Sequence, residues 1–119
     1  MRRSFVYILL TVVGIILPLA AESKTVTITG WVSDEACGAS HMKPGGADCV
    51  RKCMRGGASI GHPEWKPQRM VVVADRGKKI WIVENAEALT GKEGEHVRVV
   101  GELKRKQKSL HVEEAATLE

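Results

Sequence analysis

Five short segments in which apolar and polar residues alternate, with 34 residues (34–67) lodged between the first and the second, constrain this chain more than any other feature. "KTVTITGWVSD" places Val26, Ile28, Gly30 and Val32 on one face and Thr25, Thr27, Thr29 and Trp31 on the other, the period of a β-strand. "QRMVVVAD" and "KKIWIVE" are β-branched runs joined by Asp75-Arg76-Gly77-Lys78, a hairpin signal. "NAEALTGKEGE" reads as a short helical turn closed by Gly91 and Gly94. "HVRVVGELK" and "SLHVEEA" alternate again around the charged turn "RKQK". The order strand, strand, strand, helical turn, strand, strand predicts a mainly β fold, a small five-stranded OB-like barrel. Closure would also remove the exposed edges that a small sheet otherwise presents. An open meander or an SH3-like barrel is the alternative. Gly101, central in the fourth strand, is expected at a bend where a Cβ would clash, and Gly94 is expected to tolerate alanine.

The first 23 residues read as a leader. Arg2 and Arg3 precede an apolar run from Phe5 to Ala20, and Ala20, Ala21 and Ser23 suit cleavage after Ala21 or Ser23. An uncleaved anchor is the competing reading, and "RRSF" touches the twin-arginine pattern, although the short n-region and very apolar core favour the general secretory route. The expectation is a signal peptide over 1–23, a single domain over 24–119, and a periplasmic or secreted location with no membrane span after cleavage. Of the 18 Lys and Arg, two lie in the leader, and of the 14 Asp and Glu, one does, so the remaining 96 residues carry a net charge of +3. So mild an excess selects no partner.

A connection as long as 34–67 is uncommon in a compact domain unless it carries structure or function. All three cysteines lie in it, within "CGASHMKPGGADCVRKC". "ADCVRKCMRGG" predicts a two-turn helix with Asp48 as N-cap and Gly56-Gly57 as its stop. On that helix Cys49 and Cys53 share a face with Cβ atoms about 5–6 Å apart, too far for a disulfide but suited to sharing an ion. If "CGASH" turns, Cys37 and His41 face together, and the two pairs close a Cys3His tetrahedron over the loop "MKPGGAD". Three readings stand. Exported thiols tend to oxidise, so Cys37 pairs with Cys49 or Cys53 and the third thiol is left over. Otherwise Cys37, His41, Cys49 and Cys53 hold a metal. In the third, a free thiol attacks a disulfide within the trio. Zinc is the metal that such a set matches; Met42 and Met54, each next to a ligand position, place copper second. His62 is an alternative to His41, whereas His96 and His111 fall outside the insertion.

No G-x-S-x-G, no H-E-x-x-H and no phosphate loop is present, and a Cys37–His41 nucleophile pair lacks a cleft, so an enzyme is not expected. The aromatics beyond the leader are Trp31, Trp65 and Trp81. If aliphatic residues fill the barrel, Trp31 and Trp81 face outward, where OB-folds bind ligands. An insertion this long must cover something, which favours the tryptophans packing beneath it as a second small core. Lys104, Arg105 and Lys106 form a basic turn at a loop that OB-folds use for ligands. Export argues against nucleic acid as its partner and leaves an anionic envelope polymer or a protein. The expected function is an exported small binding module whose insertion is stapled by a disulfide or by zinc, with thiol-redox or metal handling as the alternative.

"GWVSDEACGASH" with "DCVRKCMRGGA", followed by "GEHVRVVGELK" and "SLHVEEA", resembles a group of small exported bacterial proteins best known from Acidobacteria. That group combines a leader, a G-[WY]-[VI]-[ST]-D-x-x-C-G-x-x-H opening, a C-x3-C helix and an OB-like barrel. The resemblance spans nearly all of the chain beyond the leader, and its specific part is Gly30 to Ala58. It implies an exported OB-like protein with Cys37, His41, Cys49 and Cys53 as characteristic positions. "SIGHPEWKPQR" is longer than the usual link, so nothing carries over to the surface around Trp65.

Overall fold

The computed structural model describes residues 14–16 and 24–119. The expected leader, 1–23, therefore lies largely outside the described residues. Among those described, no helix is long and apolar enough to cross a membrane. Five strands form a closed barrel: β1 (Lys24–Asp34), β2 (Met70–Ala74), β3 (Ile80–Val83), β4 (His96–Lys104) and β5 (Ser109–Thr117), ordered β1-β2-β3-β5-β4 around the wall. Closure depends on β1, whose residues Lys24–Trp31 pair with β4 and whose residues Gly30–Asp34 pair with β2, both antiparallel. The final seam is a short parallel pairing of Ile82 and Val83 with Ser109 and Leu110. This is the OB-like order expected from the alternation.

Val32, Val72, Val97, Val99, Leu110 and Leu89 of the 3-10 turn Ala86–Leu89 lie at the centre of the core. The Asn85 side chain ties that turn to β5, accepting from Val112 N and donating to Val112 O, each at 2.8 Å. One expectation inverts. On β3 it is Trp81 that joins the core, at 8 % exposure, while Ile80 is 41 % exposed. Alternation fixes which residues share a face but not which face turns inward; here the bulkier, more apolar-filling ring takes the interior. Trp31 stays on the outer wall, half-buried and stacked on His96 with ring centroids 4.7 Å apart. It borders Ala39, Ser40 and Met42, so the insertion shields one side of it.

Between β1 and β2 the chain forms a 3-10 turn at Gly38–His41, helix α1 (Ala47–Arg55) and a second 3-10 turn at Ala58–Ile60. Asp48 is not the N-cap: Gly46 occupies that position without a side-chain cap, and Asp48 sits in the first turn, pairing with Arg51 at 3.4 Å. Its carboxylate still opposes the positive helix end. The base of the insertion is clamped. Glu35 Oε1 accepts from Arg69 N at 2.9 Å and from Arg69 Nε at 2.8 Å, and Oε2 from the same guanidinium at 2.8 Å. This fork holds the Glu35 carboxyl below the usual carboxylate range. Half-buried Met54 packs α1 against the barrel core, and Val50 of the same helix is fully buried.

Two glycines mark close approaches. A β-bulge lies at Val100/Gly101, and a Cβ on Gly101 would run into the carbonyl oxygen of His111, as expected of a barrel bend. Gly94 departs from expectation. Its φ is +75° and a Cβ there would collide with the backbone of Ala47, because α1 docks onto this loop. Gly101→Val and Gly94→Ala should therefore each cost roughly 1–3 kcal/mol or more in urea unfolding. A neutral Gly94→Ala would show that α1 does not rest on the β3–β4 connection.

Candidate metal centre

Two buried polar residues end β1, and they set the geometry of the site. Ser33 Oγ donates to Gly38 O at 2.9 Å. Asp34 Oδ1 accepts from Ala36 N and Cys37 N, each at 3.0 Å, the side-chain-to-backbone pattern that turns a chain sharply. Both residues are fully buried. Together they carry Cys37 out of the barrel wall and over α1. The ring of His41 packs on Gly46, immediately before the helix, where a Cβ would meet its Nδ1 at 3.0 Å. The helix then offers Cys49 and Cys53 one turn apart.

The donor atoms of Cys37, His41 and Cys49 all lie within 4.8 Å of one another, and so do those of Asp34, Cys37 and Cys53. Cys37 belongs to both groups. All four residues picked out by spacing thus meet in one cluster, and a fifth, Asp34, joins them. No disulfide links the cysteines: the Cys37 and Cys53 sulfurs are 3.7 Å apart, against about 2.05 Å for a bond. The expected disulfide staple is absent from this structure, since α1 holds Cys53 beside Cys37 without closing on it. Two sulfurs bound at about 2.3 Å to one tetrahedral ion would stand about 3.8 Å apart, close to what is observed.

Burial pushes the Cys37 thiol far above its ordinary value, and the Asp34 carboxylate adds to the shift. Burial also raises Cys53. A thiol held protonated attacks disulfides slowly, so the pair is poorly suited to redox exchange. Cys49 is exposed. His62 is committed elsewhere, 2.9 Å from Glu64 Oε1 and stacked on Trp65 at 3.9 Å. Met54 packs on the core and Met42 lies beside Trp31, so packing accounts for Met54.

Asp34 was missed in the sequence because an acidic residue after an alternating strand looks like the start of a solvated loop. The available signal was its place three residues before Cys37.

A second surface lies on the other side of the insertion's base. Lys78, Lys79, Arg105 and Lys108 rim a groove of about 680 Å³ over Val71 and Ile80. Of the basic turn, Arg105 contributes to it, whereas Lys104 is paired with Glu84 at 3.0 Å and Lys106 does not line it. Trp81 also lines the groove but is only 8 % exposed.

With iodoacetamide at neutral pH under reducing conditions and with chelator, Cys49 should be alkylated at least about tenfold faster than Cys37 or Cys53. Mass mapping of the labelled peptides reads this directly, and fast Cys37 labelling would contradict the shielding of this half-buried pair. Comparison of the chain with protein-family models, with curated proteins and with solved structures finds no match.

Proposed function

We propose that this protein is an exported OB-like binding module whose insertion is stapled by one divalent metal ion, zinc by preference. The observation that carries the reading is the position of Cys37, one thiol shared by both donor groups, with the Cys53 sulfur at 3.7 Å. Thiol, imidazole and carboxylate donors suit zinc, and binding would release thiol protons and relieve the crowding of acidic groups. The staple acts on a segment whose own core is small. Val50 is its only fully buried apolar side chain, so the ion would supply the order that burial does not. The apolar run behind Arg2 and Arg3 is the sequence feature that favours export. The thiol-redox alternative loses ground because Cys37 and Cys53, 3.7 Å apart, are both pushed away from the reactive thiolate by burial.

The ligand surface is the basic groove. Its cations and aliphatic floor, with no exposed aromatic platform, favour an anionic polymer or an acidic protein over nucleic acid bases, which stack on aromatic rings.

Protein prepared from the periplasm should carry about one zinc per chain, and chelation should lower its melting temperature by at least about 5 °C. Cys37→Ala should lose the metal entirely and melt like the chelated parent. A parent without metal, about two mass units below the reduced chain, would establish the disulfide instead. For the groove, Arg105→Glu should weaken retention of poly-glutamate several-fold more than Lys106→Glu, although both change the net charge equally. Equal effects would mean that the groove is not the binding surface.

A further inference from the structure

Among the described residues two acidic groups have a buried oxygen without a hydrogen bond, and they differ: Glu93 Oε2 has Arg51 Nε at 3.6 Å, whereas the Asp34 carboxylate has no cation paired with it. Asp34 is fully buried, its Oδ1 accepts from two backbone amides, and its Oδ2 makes no hydrogen bond of good geometry among the described residues, with the weakly donating Cys37 thiol set beside the carboxylate. A carboxylate oxygen of Asp34 and the Cys37 and Cys53 sulfurs lie within 4.8 Å of one another. Neutral thiols are weak donors, and thiolates would repel a carboxylate. A buried polar atom without a good partner calls for a specific explanation, and here a carboxylate and two thiols converge where a cation, displacing the thiol protons, would satisfy all three.

We infer that Asp34 is itself a metal ligand, and that the insertion offers two overlapping positions for one ion. The inner position is Asp34, Cys37 and Cys53; the outer is Cys37, His41 and Cys49. Cys37 is common to both. The ion meets exposed Cys49 and half-buried His41 first and settles inward against Asp34, retaining one outer donor as its fourth ligand. A carboxylate oxygen is a hard donor, so the inner position selects a divalent ion such as zinc over Cu(I), which two thiolates alone would hold. This inference rests on the metal-stapled reading above and adds the residue that sets its selectivity.

The test compares the full exported chain with Asp34→Asn and with Asp34→Ser. Both keep an oxygen able to accept from Ala36 N and Cys37 N, and both remove the anionic Oδ2. Zinc affinity, measured by competition with a chromophoric chelator, should fall at least about tenfold in each, with Cu(I) affinity nearly unchanged. The metal-free variants should melt at or above the metal-free parent, because a buried carboxylate oxygen without a donor has gone. Cys49→Ala should keep zinc affinity within about threefold and load more slowly in stopped flow. A parent that binds zinc with variants that bind it equally tightly would overturn the role of Asp34 alone. A parent that binds no zinc would overturn the metal reading and this inference together. Metal-free variants that melt well below the parent would show Asp34 to be structural.

Discussion

The fold depends on the pairing of one strand with two neighbours. β1 gives its first half to β4 and its second half to β2, and it changes partner near Gly30 and Trp31. β1 thereby joins the β2–β3 and β4–β5 pairs, and the parallel β3–β5 seam completes the barrel, so that no strand is left at an open end of the sheet. The same arrangement drives the end of β1 deep into the wall. Ser33 and Asp34 are buried there because they pair with Val71 and Met70 across β2. Their side chains act on the turn that follows, Ser33 through Gly38 O and Asp34 through the Ala36 and Cys37 amides, and so fix the position of Cys37.

From that turn outward, order comes from polar contacts rather than apolar burial. The Glu35–Arg69 fork closes the base, backbone hydrogen bonds from Gln68 N to Cys53 O at 3.0 Å and from Gly57 N to Trp65 O at 2.9 Å hold the return path, and α1 leans on Gly94. Surface ion pairs contribute little stability each. A segment built this way gains much from a single strong cross-link, and the donor atoms for one converge at its centre. The electrostatics point the same way. A fully buried carboxylate and two thiols raised by burial favour a cation among them and disfavour a nucleophile.

Much of this was legible in the residues. Period-two alternation and the hairpin signal at Asp75–Lys78 gave the five strands and their order, because alternation reports one buried face whatever the tertiary partner. Spacing brought Cys37, His41, Cys49 and Cys53 into one cluster, because residues four apart on a helix share a face. What spacing cannot report is a contact made through the third dimension. Trp81 and Ile80 exchanged faces since alternation has no absolute sign, and Gly94 proved to be a docking point since its neighbour, Ala47, is 47 residues away in the chain. Asp48 gave up the cap to Gly46, a local choice within the usual tolerance of helix ends.

The sequence by itself determined the barrel, the place of the insertion within it and four of the donors, since these follow from periodicities that any compact solution must respect. Only the tertiary structure decided that Asp34 is buried among those donors, that Cys37 rather than Cys49 is the shared thiol, and that Cys53 stands 3.7 Å from it without bonding. Those outcomes depend on how deep the wall of the closed barrel carries the end of β1 and on where α1 comes to rest against it. Both are set by packing between segments distant in the chain, which no local pattern encodes.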